Sequence, residues 1–293
     1  MLMSMTKPAA LAPAVGWFRL AHPGPAAACT ALTLLAGRPR RTGPAQAGGI
    51  RRNHLTRAAL AMFLAQISTG SLNDVFDREH DSVHQPYKPI PRGEVSPPGA
   101  FAFALASGLG CLWLARSCGS RVARMMVLGL AAGWSYDLGL SRTPFSFVPF
   151  SAGIMTVPWI GALAGEEEVI SPRWMTAISG LLGLGLHLAN GGPDAVKDRL
   201  AGRRSLPVLL GEKKSRQGTH LALTVGALLS VFSASRRGRP AASLGAAGCI
   251  ALLAVDRHQG RLSRTPGHHP FVLPVLAAGV LAAGWLTGAR ESR

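Results

Sequence analysis

Asn73-Asp74-Val75-Phe76-Asp77-Arg78-Glu79-His80-Asp81 closes a long apolar segment, and a second stretch, Asn190 to Asp198, echoes it. In the first, Asn73, Asp77 and Asp81 stand at i, i+4 and i+8; in the second, Asn190, Asp194 and Asp198 repeat that spacing with the same residue types. Residues four apart stack on one face of a helix, so each stretch aims an amide and two carboxylates in one direction. Asp74 adds a third carboxylate to the first set. Unpaired acids at the ends of apolar helices are expensive, which marks them as functional. Oxygen ligands on two facing helices suit a hard cation such as Mg²⁺, which typically takes phosphate oxygens among its remaining ligands. Ordinary solvated caps are the plainer reading of any one of these acids, but not of two matched triplets.

Length alone would allow roughly two soluble domains in 293 residues. Composition argues for one polytopic membrane domain instead: 48% of residues are hydrophobic, only 15% are charged and mean hydropathy is +0.24. Apolar runs approach the roughly 20 residues that cross a bilayer as a helix. They lie at approximately 20–37, 55–76, 97–117, 121–137, 144–165, 172–193, 218–235, 240–256 and 268–288. The expected fold is therefore all-α and membrane-integral, with about nine transmembrane helices in a single bundle. Residues 1–19 read as an N-terminal tail, 20–288 as the membrane domain and 289–293 as a C-terminal tail.

The net charge of +17 raises the question of nucleic acid. The basic residues are scattered over short loops and not gathered into a stripe, so no nucleic-acid partner is expected. Anionic lipid head groups of the bilayer and an anionic substrate are the expected partners. Cys29, Cys111, Cys118 and Cys249 show no CxxC spacing and read as buried free thiols, not a metal site or a disulfide framework. Gly129/Gly133 and Gly245/Gly248 would permit close helix packing.

With nine spans, the segments following the second, fourth, sixth and eighth share one side of the membrane. Asp74, Asp77, Glu79, Asp81, Glu94, Asp137, Asp194, Asp198, Glu212 and Asp256 lie in or beside them, ten of the 14 acidic residues. Glu166-Glu167-Glu168 falls on the opposite side and reads as a solvated loop. Lys and Arg divide almost evenly between the two sides, so charge bias sets no orientation.

After Asp81 the chain continues Gln85-Pro86-Tyr87-Lys88-Pro89-Ile90-Pro91-Arg92-Gly93-Glu94-Val95-Ser96. Three prolines and a glycine hold Lys88 and Arg92 on a stiff loop just beyond the carboxylates. Cations so placed fit a diphosphate whose charge exceeds what Mg²⁺ neutralises, or else lipid head groups. The second stretch carries Lys197 and Arg199, then Gly202-Arg203-Arg204-Ser205-Leu206-Pro207-Val208-Leu209-Leu210-Gly211.

With both tails in view, the chain resembles the UbiA superfamily of intramembrane prenyltransferases over roughly residues 17–288. That family's NDxxDxxxD motif is matched by Asn73, Asp74, Asp77 and Asp81, and its basic-Pro-x-Pro-x-Gly-x-x-Ser loop by Lys88 to Ser96. Its DxxxD motif with a (T/S)LPVxxG tail is matched from Asp194 to Gly211. Between the motifs, Tyr136 and Arg142 match, whereas Asp137 and Ser141 stand where the family carries serine and lysine.

The resemblance implies a UbiA-like bundle and transfer of an isoprenyl group from a prenyl diphosphate to a lipophilic, aromatic acceptor. It implies two Mg²⁺ ions, held by Asn73, Asp77 and Asp81 and by Asn190, Asp194 and Asp198. It assigns the diphosphate to Lys88, Arg92, Arg142, Lys197 and Arg199, and makes Asp74 and Tyr136 catalytic candidates. Trp134, Tyr136, Phe145, Phe147, Phe150 and Trp159 would line a dry pocket for the allylic cation, beside their plainer roles as packing or interfacial anchors. Prenyl diphosphates are made in the cytosol, which would place the motif loops in the cytoplasm. A UbiA-type terpene cyclase, needing no second substrate, is the alternative within the same chemistry. A cation- or proton-coupled transporter would carry its acids at mid-helix, whereas here they cluster at helix ends. His187 reads as a packing or helix–helix hydrogen-bonding residue, and His268-His269 as interfacial.

Overall fold

The computed structural model describes residues 12–38, 45–165, 171–262 and 271–289, and all regular structure among them is helical. The glutamates at 166–168 and the histidines at 268–269 lie outside the described residues. The chain enters through α1 (Ala12–Leu20) and α2 (Pro23–Gly37) into a long α3 (Ala45–Phe76), followed by the short α4 (Arg78–His84). Then come α5 (Pro97–Arg116), α6 (Ser120–Asp137), a 3-10 turn (Leu140–Arg142), α7 (Phe147–Ala164) and α8 (Pro172–Gly191). A short α9 (Ala195–Leu200) leads to α10 (Leu206–Ser233), α11 (Arg239–Leu262) and α12 (Val272–Gly288).

Prolines open α5, α8 and α10, where the missing N–H costs nothing and φ is already helical. Ser96 also caps α5 by accepting from the Gly99 amide at 3.3 Å. Within α10, Gly211 adopts φ 75° and ψ 168°, which breaks the helix one turn after its start. That backbone is open to glycine and strained for a residue with a Cβ.

Nine of these helices are 15 residues or longer, and they fall on the nine apolar stretches. Two begin well before the apolar runs do. Helix α3 starts at Ala45 and α10 at Leu206, because helical backbone does not require apolar side chains and the basic turns there still form helix. By length and composition alone, Pro97–Arg116, Phe147–Ala164 and Arg239–Gln259 suffice to cross a membrane, and Val272–Gly288 is a shorter apolar helix. Other long helices carry polar side chains satisfied inside the bundle; Ser68 on α3, for example, donates to the Ala104 carbonyl of α5 at 2.7 Å. The outside of the bundle is apolar: Trp113 is 75%, Phe232 74% and Leu244 76% exposed. Lipid suits such a surface and water does not.

The helices close into a ring in which α2 meets both α3 and α12 and also touches α7. One apolar core joins α8, α10, α11 and α12, with Met175, Ile178, Leu223, Leu281 and Trp285 buried in it. A second joins α3, α5, α6 and α7 around Met62, Cys111, Met126 and Ile160, and a smaller third gathers Leu20, Val75, Ile90, Val95 and Ala100. All four cysteines are free and buried. Small residues set the closest helix approach, as at Gly245 of α11, where a Cβ would sit 2.8 Å from the Gly284 Cα of α12. The C-terminal ends of α3, α6 and α8 gather with the N-terminal ends of α5, α7 and α10, and the acidic stretches lie there.

Candidate active site

Helical bonding runs from α3 through a small break into α4: the Asp77 amide donates to the Asn73 carbonyl at 2.9 Å, and the Asp81 amide to that of Asp77 at 2.8 Å. Asn73, Asp77 and Asp81 therefore keep their four-residue stacking. The Asn73 amide donates to Asp77 Oδ2 at 3.4 Å and to Asp137 Oδ1, at the end of α6, at 3.2 Å. Asp137, a departure from the family pattern, thus brings a further carboxylate against the first motif.

Lys88 bridges the other two acids, with Nζ 2.9 Å from Asp74 Oδ1 and 2.8 Å from Asp81 Oδ2. Burial works to depress the Lys88 pKa, but the two carboxylates outweigh it and hold the ammonium above its ordinary range. Asp81 is raised by burial, which outweighs its bond to Lys88. Asp74 also lies 3.3 Å from His22 Nε2, at the start of α2. The segment read as a tail contributes to this wall: Arg19 pairs with Glu94 at 3.3 Å, and Trp17 meets Phe103 edge-on at 5.3 Å.

In the second stretch Asn190 stands next to last in α8 with an exposed side chain. Gly192 and Pro193 turn the chain to Asp194, which stands just before α9 without a side-chain capping bond, and Asp198 follows one turn on. Lys197 pairs with Asp194 at 2.6 Å. Asp198 is raised by burial against the opposing pull of Arg203 and His80, whose Nε2 lies 3.6 Å from Asp198 Oδ1. His80 is itself lowered, by burial and by the neighbouring Arg203.

The two stretches meet through Arg203. Its Nη2 lies 2.7 Å from Asp77 Oδ1 and its Nε 3.7 Å from Asp198 Oδ1. Arg142 Nη2 reaches the same Asp77 oxygen at 3.6 Å, and the Arg204 amide donates to the Arg142 carbonyl at 3.0 Å. Of the cations expected at a diphosphate, Arg142 alone stands directly on the first-motif Asp77. Lys88 is held by Asp74 and Asp81 and Lys197 by Asp194, while Arg92 pairs with Glu94 at 3.0 Å and Arg199 donates to the Val208 carbonyl.

The aromatic set divides. Tyr136 and Phe150 meet at 5.6 Å, and His187 packs 5.9 Å from the first and 5.2 Å from the second. Ser146 joins His187 Nε2 at 3.0 Å and accepts from the Leu206 amide at 3.1 Å, so His187 makes the kind of helix–helix bond expected of it. Trp134 donates to Ser68 at 3.1 Å, and Trp159 packs into the core of α8 to α12. Phe145 is 66% exposed and Phe147 half-buried.

No three acidic, histidine or cysteine side chains among the described residues form a ready-made ion cage. The donor set fits a hard divalent ion all the same, because Mg²⁺ is usually bound by one or two carboxylates with substrate phosphates and water completing its shell. Asp77 and Asp198 already share a cation in Arg203, so the cleft accommodates positive charge between the two motifs. Sequence reasoning left out four side chains here: His22, His80, Asp137 as a contributor and Arg203. His80 and Arg203 lay within the quoted stretches, where their charge was the available signal. Nothing local marks His22.

The sequence pattern of the UbiA prenyltransferase family matches residues 26–272. Digeranylgeranylglyceryl phosphate synthase of Halobacterium salinarum is 32% identical over 211 residues, covering 69% of this chain and 72% of the relative. The synthase of the same name from Natronomonas pharaonis is 29% identical over 208 residues, covering 68% and 70%. The fold is also that of a UbiA homologue from Archaeoglobus fulgidus, solved with DMAPP and Mg²⁺. That structure superposes with a TM-score of 0.71 at 17% identity, covering 93% of this chain and 98% of the other. Paired acidic stretches at the ends of an all-helical bundle, a family match over most of the chain and relatives of this similarity lead to one conclusion: the chain belongs to the UbiA prenyltransferase family and is an integral membrane prenyltransferase.

Proposed function

We propose that the chain transfers an isoprenyl group from a prenyl diphosphate to a lipophilic acceptor, with release of pyrophosphate and dependence on Mg²⁺. The observation that carries this reading is the meeting of the two acidic stretches across Arg203, which leaves Asp77 and Asp198 facing one cleft beside Arg142. Asn73, Asp77 and Asp81 would hold one ion, and Asp194 and Asp198, with Asn190, a second. An ion held by these residues would supply charge neutralisation for the diphosphate oxygens and for the leaving pyrophosphate. Arg142 adds a guanidinium on the same cleft, and Lys88 keeps Asp74 and Asp81 in place from behind. Tyr136 and Phe150, packed edge to face, present π density to an allylic cation and keep water from it.

By their names, the relatives make a glyceryl phosphate carrying two geranylgeranyl groups, so a prenylated glyceryl phosphate is the first acceptor to try, with aromatic acceptors as the comparison. The motif loops face the cytoplasm in this reading, where a water-soluble diphosphate would reach them. The test is pyrophosphate release by purified protein supplied with prenyl diphosphates of several lengths and Mg²⁺, with and without each acceptor. Asp77→Ala and Asp194→Ala should each lower release by about 100-fold or more. Release without any acceptor, together with a cyclic product, would replace transfer by cyclisation. Folded protein that releases nothing from any donor would overturn the reading.

A further inference from the structure

Arg203 holds more than its own loop in place. Its guanidinium is largely buried and spans Asp77 of the first stretch and Asp198 of the second. Arg142 approaches the same Asp77 oxygen, so that carboxylate faces two guanidinium groups. An ion bound by Asp77 and Asp198 would compete with Arg203 for those oxygens. The backbone around Arg203 is anchored on both sides: its own amide donates to the Asp198 carbonyl at 2.9 Å, and the next amide to the Arg142 carbonyl at 3.0 Å. Any response to a bound ion therefore falls to the long side chain and not to the loop. Displaced from Asp77, a guanidinium held at this cleft has the fork geometry that pairs with phosphate oxygens.

Building on the metal-and-diphosphate reading above, we propose that Arg203 is an exchangeable counter-cation. It clamps Asp77 to Asp198, yields those carboxylates to divalent ions, and then pairs with the diphosphate that arrives with them. It is a positioning residue for the acids and a binding residue for the pyrophosphate group.

The proposal makes opposite predictions for two ligands of the full chain in detergent. Mn²⁺ serves as a paramagnetic probe of the divalent site, and inorganic pyrophosphate as the anion. Arg203→Gln should bind Mn²⁺ alone about tenfold more tightly than the wild type, because a competing charge is gone. With Mn²⁺ saturating, the same variant should bind pyrophosphate about tenfold more weakly, and Arg203→Lys should recover part of both changes. Without divalent ions Arg203→Gln should melt below the wild type, and saturating Mn²⁺ should close that gap. Unchanged or weaker Mn²⁺ binding in Arg203→Gln would overturn the proposal, as would a melting deficit that persists in Mn²⁺. If the wild type bound no Mn²⁺, or Asp77→Ala bound it as well as the wild type, the metal reading itself would fall and this inference with it.

Discussion

Replacing Lys88 by methionine keeps most of the stem and removes the ammonium that joins Asp74 to Asp81. Both carboxylates are almost fully buried, at 2% side-chain exposure. Asp74 keeps His22 at 3.3 Å, whereas Asp81 has no other ion-pair partner among the described residues. The loss is thus close to that of one stranded buried carboxylate. Breaking a buried pair costs about 3–5 kcal/mol, and the water-facing end of the bundle argues for the lower figure, about 3 kcal/mol. For a chain of this size that is roughly 5 °C in melting temperature. Thermal unfolding in detergent without divalent ions reads it directly. Adding Asp81→Asn to Lys88→Met removes the stranded charge and should recover at least about half the loss, since neighbours in one network do not add. Lys88 titrates above its ordinary value of 10.5, because Asp74 and Asp81 overcome the effect of burial. The bridge's contribution is therefore complete below pH 10.5 and disappears as pH rises through the raised value, so the two melting curves converge only in strongly alkaline buffer. A loss under about 2 °C, or no recovery in the double variant, would refute the bridge as a structural element.

Other consequences follow from single contacts. Ser146→Ala removes the hydroxyl between His187 and the Leu206 amide and should cost about 1–3 kcal/mol in unfolding free energy. Gly245→Val forces α11 away from Gly284 of α12, a loss of about 1–3 kcal/mol or more that melting would show. Asp256→Ala strands His220, 2.8 Å away, and removes the Arg216 Nε partner at 3.0 Å, at about 2 kcal/mol by the same measurement. In steady-state kinetics, Arg142→Ala should raise the KM for prenyl diphosphate by about tenfold. Arg92→Ala, half-exposed and paired with Glu94, should change it less than about threefold.

The long helices and the two acidic triplets were legible in the sequence because both depend on neighbours a few residues apart. Apolar runs announce helices that face lipid, and a four-residue spacing of acids places them on one face where the helix is continuous, as from Asn73 to Asp81; the turn at Gly192 and Pro193 takes Asp194 off the helix that carries Asn190. The start of α3 was less visible, since its charged turns break the apolar pattern without breaking the helix, and α10 is interrupted at Gly211 ahead of its apolar run. Which cation meets which acid was decided only by tertiary structure. Lys88 and Arg92 sit four residues apart on one loop, yet Lys88 turns in to two buried carboxylates and Arg92 turns out to Glu94. Arg203 reaches Asp77 across 126 residues of sequence, and His22 reaches Asp74 from the start of α2. The aromatics divided for the same reason: Tyr136 and Phe150 pack against His187 while Trp159 enters a separate core. Spacing along a helix sets the direction of a side chain, but its partner is set by the packing of the helices, and a charge pairs with whatever opposite charge that packing brings within about 4 Å.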